Sequence, residues 1–185
     1  MAKIIIVRRL ILLTAFFGAA SFCFGQTAPS KEYQVKAVFL FNFAQFVDWP
    51  PEAFTSVDAP FVIGVLGKDP FGTYLDETVR GEKINGHPFV VKRFQHVSEA
   101  GECHILFINP TKGDQLKGVL NHLKVSSVLT VGDAANFTKQ GGIVGFFKES
   151  NKIRIRINVD AAKNAELEVS SKLLRVAEIV SSEND

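Results

Sequence analysis

The loop Gly64-Val65-Leu66-Gly67-Lys68-Asp69-Pro70-Phe71-Gly72 places three glycines and a lysine behind an apolar run, which is the composition of a phosphate cradle. Its spacing does not fit that chemistry. A P-loop needs Gly-Lys followed by Ser or Thr, and a dinucleotide loop needs its glycines closer together. Here Asp69 follows Lys68 and opposes a phosphate, so the segment reads as an ordinary strand-to-helix turn. The four histidines, His87, His96, His104 and His122, show no metal-ligand spacing and no helical pair flanking a glutamate. They read as surface or strand-end residues. Ser170-Ser171-Lys172 has the residue types of a serine-lysine nucleophile, but adjacent residues on a helix point in different directions, so capping explains the serines better. The chain contains no Gly-x-Ser-x-Gly elbow and no carboxylate cluster on one expected element. Residue types and spacing thus assemble no catalytic constellation, and the expectation is a non-enzyme with no cofactor and no metal.

The N-terminal residues read as an address. Lys3, Arg8 and Arg9 form a positive leader, Leu10 to Phe24 is apolar without a charge, and Cys23-Phe24-Gly25 sets small residues where a signal peptidase reads. A signal peptide over residues 1–25, cleaved to leave a chain beginning near Gln26, is expected. The apolar run falls short of the ~20 residues that span a bilayer, and Phe22 before Cys23 argues against a lipoprotein. Losing three positive charges turns the formal net charge of +2 into about −1, which gives no reason to expect nucleic-acid binding. Residues 26–185 suit one domain, and 46% hydrophobic residues with 17 Phe exclude disorder. Cys103 is then the only cysteine left, so no intramolecular disulfide can form. Its place before an apolar strand suggests a buried thiol; an intermolecular disulfide or a redox sensor is the alternative.

Periodicity supplies the elements. Phe61 to Gly67, Val90 to Phe94, His104 to Ile108 and Val128 to Val131 read as strands, the first a continuous apolar run suited to burial on both faces. Pro70 to Val79 reads as a short helix capped by Asp69, and Gly113 to Leu123 as a helix with Leu116, Val119, Leu120 and Leu123 on one face. Ile143 to Lys148 and Lys152 to Asn158 flank a short connection and read as an antiparallel hairpin, with Ile153, Ile155 and Ile157 inward and Lys152, Arg154 and Arg156 outward. A helical C-terminal region capped by Asn158 and Ser170 would bury Leu173, Leu174, Ala177 and Val180. Alternating strands and helices imply an α/β fold: a single-domain three-layer sandwich whose mostly parallel central sheet carries the hairpin at one edge.

The segment ending Phe39-Leu40-Phe41-Asn42-Phe43-Ala44-Gln45-Phe46-Val47-Asp48-Trp49-Pro50 contains the only Trp of the chain. It reads as a helix apolar nearly all round, with Ser30 as N-cap, Pro50-Pro51 as its stop, and a polar stripe of Lys31, Gln34, Asn42 and Gln45. Asn42, Gln45, Asp48 and Trp49 are its residues that could face a partner. Lys172 and Arg175 stand out in the same way on the last helix.

This segment resembles the N-terminal signature of the periplasmic YfiR family. Gly141 to Phe146, Ile155 to Ala162 and Ser170 to Ala177 resemble that family's C-terminal block, and Ile105 to Ile108 and Val128 to Asp133 fit its two central strands. The resemblance covers nearly all of the chain after Ser30. Members commonly carry disulfides, so the lone Cys103 is a departure. The resemblance implies a periplasmic protein that binds the periplasmic domain of an inner-membrane diguanylate cyclase or sensor and holds it inactive, lowering cyclic-di-GMP signalling and biofilm formation. It implies neither nucleic acid nor membrane insertion after signal cleavage, and it leaves room for a homodimer. A small-molecule or envelope-receptor binding protein without enzymatic activity is the alternative, and an uncharacterised hydrolase a third reading.

Overall fold

A computed structural model describes residues 29–109, 114–124 and 126–181. The expected leader, its cleavage point and Gly113 lie outside the described residues. Helix α1, Lys31–Phe43, opens the fold and is followed by the short strand β1, Val47–Asp48. Then come β2, Phe61–Gly67; α2, Thr73–Val79; β3, Lys83–Ile84; β4, His87–Phe94; β5, Ile105–Asn109; α3, Asp114–Leu123; and β6, Leu129–Gly132. The C-terminal part holds β7, Val144–Glu149; β8, Lys152–Asn158; α4, Val159–Asn164; β9, Glu168–Val169; α5, Ser171–Leu174; and β10, Glu178–Val180.

One eight-stranded sheet runs in the order β10-β8-β7-β6-β5-β2-β4-β3, and β1 pairs with β9 in a separate antiparallel ladder. Strands β4, β2, β5, β6 and β7 are parallel neighbours, whereas β8 is antiparallel to β7. Continuous apolar runs explain the middle: every residue of β2 through Leu66 and of β5 through Ile108 is buried, as expected of strands covered on both faces. Ala37, Leu40 and Phe43 of α1, with Leu75 and Val79 of α2, cover one face over Ile63, Val65, Ile105 and Phe107. Leu116, Leu120 and Leu123 of α3 cover the other over Val62, Leu66, Leu106 and Ile108, with Phe137 from the loop after β6. The fold is the three-layer α/β sandwich that the alternation of elements predicts.

The β7–β8 hairpin closes through Ser150 and Asn151, both at positive φ (47° and 63°), the backbone that two-residue hairpin loops require. Three expectations need correction. The hairpin is not the sheet edge, because β10 pairs in parallel with β8 outside it. After α4 the C-terminal region is helical only from Ser171 to Leu174; Val176, Ile179 and Val180 favour extended backbone, and β8's outer edge supplies the ladder that satisfies their peptide groups. The first helix ends at Phe43, not at the prolines, through 3-residue turns such as Phe46 N–H to Phe43 O at 3.0 Å, because Val47 and Asp48 pair with Val169 and Glu168. The caps divide similarly. Asn158 accepts from Ala161 N–H at 2.9 Å and Ser170 from Leu173 N–H at 3.4 Å, whereas Ser30 occupies its cap position without a side-chain bond. Asp69 Oδ1 accepts from Phe71 and Gly72 N–H, forming a turn that precedes α2 instead of a cap on Pro70.

Candidate partner-docking face

Two anchors hold α1 against the sheet. At its N-terminal end Lys36 is only 2% exposed, and its Nζ lies 2.6 Å from both Glu32 Oε1 and Asp133 Oδ2. A buried ammonium is tolerated only when paired and hydrogen-bonded, and Lys36 meets both conditions. Tyr33 adds a hydroxyl donated to Asp133 Oδ2 at 3.0 Å, and its ring lies 4.4 Å from Lys36 Nζ. Burial first, and then the Asp133 carboxylate, pushes the Tyr33 phenol up to about 12. Asp133 directly follows β6, so the pair ties α1 to the carboxyl end of the central sheet.

Beyond the other end of α1, the Trp49 indole N–H donates to His104 O at 3.1 Å, and its ring meets Phe61 edge-on at 4.9 Å. His104 stands directly before β5, a strand end as expected, but it is buried and not a surface residue. Its Nδ1 accepts the Val62 N–H at 3.0 Å, while its ring stacks between Phe61 at 4.6 Å and Phe54 at 4.4 Å. Phe54 in turn stacks on His87 at 4.1 Å, so two histidines enclose one phenylalanine. His104 Nε2 has no partner among the described residues. Burial, then the neighbouring His87, pulls the His104 pKa down to about 4, against a smaller opposing effect of the Ala53 carbonyl.

Held at both ends, α1 presents an apolar outer surface. Val35 is 45% exposed and Val38 40%, while Lys36 on the same helix is buried. Phe39 packs on Phe43 and Phe146 and, with Ile153, Ile155 and Val176, lines a shallow groove of ≈ 380 Å³. Val176 is 62% exposed, and Ile179, in register with Ile157, adds a side chain on the same sheet face at the free edge strand. Contiguous exposed apolar surface of this kind is where soluble proteins bind partners.

The six residues singled out in the sequence fall around this strip unevenly. Asn42 is half-buried, one helical turn beyond Val38, and Arg175 is exposed directly before Val176. Lys172 is exposed on α5. Gln45 and Asp48 are exposed past the end of α1, and Trp49 is committed to its anchor. Glu32 pairs with Lys36 and Lys148, Glu149 with Arg154, and Glu178 with Arg156, whereas Lys31, Lys172 and Arg175 make no ion pair among the described residues. Sequence reasoning missed Lys36, Asp133 and Tyr33; the Glu32-x-x-x-Lys36 spacing was the one local signal of the pair.

No group of three or more His, Cys, Asp or Glu among the described residues could hold a metal ion. Cys103 is buried, and burial pushes its thiol up to about 12. A family model described as YfiR/HmsC-like matches residues 33–178. The chain belongs to that family. The match begins at Tyr33 of the Lys36 anchor and ends at Glu178 of β10, so it includes the whole apolar strip except Ile179. YfiR/HmsC-like proteins are regulators and not catalysts, and the family is periplasmic. A search among curated proteins finds no match to the chain.

Proposed function

We propose that this protein is exported to the periplasm and there binds the periplasmic domain of an inner-membrane diguanylate cyclase or related sensor, holding it inactive. The observation that carries the reading is the apolar strip of Val35, Val38, Phe39, Ile153 and Val176 on a YfiR/HmsC-like domain. The unpaired Lys31, Lys172 and Arg175 around it fit a partner surface that is apolar at its centre and acidic at its margin. They also disfavour a second copy of this chain as the occupant, because the same cations would meet across a two-fold axis. Action is by occupancy: a partner that favours the sensor's inactive conformation by a few kcal/mol moves most molecules into it.

The proposal is tested with the purified protein and the periplasmic domains of membrane cyclases encoded by the same genome. Binding is expected to be lost in Val38→Asp and Val176→Asp. Lys172→Glu and Arg175→Glu are expected to weaken it about threefold to tenfold with an unchanged melting midpoint, as rim charges do. Deleting the gene should raise intracellular cyclic-di-GMP and surface attachment. Unchanged cyclic-di-GMP together with no binding to any such domain overturns the reading. N-terminal sequencing of the exported protein should find Gln26 or a neighbour; a membrane-bound form retaining Met1 or Ala2 refutes the export step.

A further inference from the structure

The chain makes its parallel strands in the order β2, β4, β5, β6, β7, yet they lie side by side as β4-β2-β5-β6-β7. The winding therefore reverses between β2 and β5. In open α/β sheets, small ligands bind outside the carboxyl ends of the strands at such a reversal, because the connections on either side diverge and leave a crevice. A cavity of ≈ 660 Å³ lies there, within the usual size of small-molecule sites. Leu66 and Ile108, buried near the ends of β2 and β5, line its base, and half-buried Val97 and Val119 line its sides.

Where it is unpaired, the polar lining offers the Lys68 ammonium and the His96 imidazole. Asp69, which in the sequence argued against an anion in this loop, has its Oδ2 3.0 Å from Arg93 Nε. Arg93 also reaches Asp76 at 2.5 Å and Gly72 O at 2.8 Å, and its hydrogen bond holds the Asp76 carboxyl below its ordinary range. Lys68 and His96 are exposed at the cavity and have no ion-pair partner among the described residues. Gly118 is the third feature. It sits inside α3, where glycine is a poorer helix former than alanine, and a Cβ built on it would meet nothing within 4 Å. Packing within the protein therefore does not require a glycine. It lines the cavity, and its missing side chain lets another molecule approach the helix backbone.

We propose that this cavity is a binding site for a small organic anion with an apolar body, its carboxylate on Lys68 and His96 and its body on Leu66 and Ile108 beside Gly118. The site lies on the α3 face of the sheet, whereas the docking strip lies on the α1 face, so the two stand or fall separately. Calorimetric titration of the intact protein with octanoate and with 2-naphthoate tests it, with 1-octanol and inorganic phosphate as probes of the body and the head alone. At least one carboxylate is expected to bind saturably with one site per chain, and octanol and phosphate at least about tenfold more weakly. Lys68→Glu should weaken binding about tenfold with an unchanged melting midpoint, and Gly118→Leu should abolish it. Gly118→Ala serves as the variant that cannot fail by misfolding: its melting midpoint should rise, as helix propensity dictates. Lys163→Ala, at an exposed position of α4, should bind like the parent. The proposal is overturned if neither carboxylate binds saturably, if octanol or phosphate binds equally well, or if Lys68→Glu and Gly118→Leu both bind normally.

Discussion

Lowering the pH from 7.5 to 4 should remove about 3 kcal/mol of folding stability through one residue, His104. In the unfolded chain this histidine takes up a proton near 6.5, whereas in the fold its pKa is about 4. The gap is worth about 3 kcal/mol at about 1.36 kcal/mol per pH unit. The direction follows from which state binds the proton. Above pH 6.5 the ring is neutral in both states and the full stability is present. Between 6.5 and about 4 only the unfolded chain is protonated, so stability falls with pH, and below about 4 the fall stops. Geometry gives the reason: the ring is stacked between Phe61 and Phe54, its Nδ1 is occupied by the Val62 N–H, and His87 is the nearest other titratable ring in the stack. Urea unfolding at pH 7.5, 6, 5 and 4 measures the loss, and in thermal melts the same amount corresponds to roughly 6–12 °C. His104→Asn retains an acceptor near the position of Nδ1 but does not titrate. It should be less stable than the parent at pH 7.5 and lack this fall, while the carboxylates titrate alike in both. A parent and variant that lose equal stability between pH 6.5 and 4 would refute the argument.

Lys36→Ala should destabilise by about 3 kcal/mol, because it leaves the half-buried Asp133 carboxylate with the Tyr33 hydroxyl but no cation; Lys36→Met with Asp133→Leu should recover most of that loss in urea unfolding. Phe43→Ala should cost about 3–5 kcal/mol, since Phe43 is 1% exposed and packs on Phe39 and Phe146; an unchanged melting midpoint would remove α1 from the core. Cys103, pushed up to about 12 and buried, should react with a thiol reagent slowly in the native state and rapidly in denaturant; reaction at the denatured rate, or a disulfide-linked dimer without reductant, would show an accessible thiol.

The central sheet was legible because its strands are continuous apolar runs bounded by glycine or turn residues, a signal that needs no tertiary information. Phe61 to Gly67 and Lys152 to Asn158 have the expected limits, and α3 buries the expected Leu116, Leu120 and Leu123. The pairings that escaped are short and exist for the sake of a neighbour. Val47–Asp48 and Glu168–Val169 satisfy one another, and Glu178–Val180 satisfies the edge of β8. A local pattern of two or three residues cannot announce a partner more than a hundred positions away, as Val47 and Val169 are. Similarly, His104 looked ordinary because its environment is assembled from Trp49, Phe54, Phe61 and His87, which only the fold brings together.

The rotation of α1 about its axis is the most consequential feature that periodicity could not determine. A helix apolar nearly all round has no preferred face, so hydrophobic burial alone leaves several rotations of similar free energy. The Lys36–Asp133 pair separates them, because turning the helix would carry the ammonium away from a carboxylate 97 residues along the chain and leave that carboxylate without its cation. The orientation it selects leaves Val35 and Val38 outward, although a lysine at Val35 or Val38 would have suited a solvated surface better. A buried ion pair adds little net stability over well-packed apolar residues but a strong preference for one geometry. Fixing a helix in a geometry that exposes valines makes physical sense when those valines have something else to cover them. Under the proposed function α1 of this YfiR/HmsC-like chain is a docking element and not core alone: its anchors specify which apolar face stays exposed.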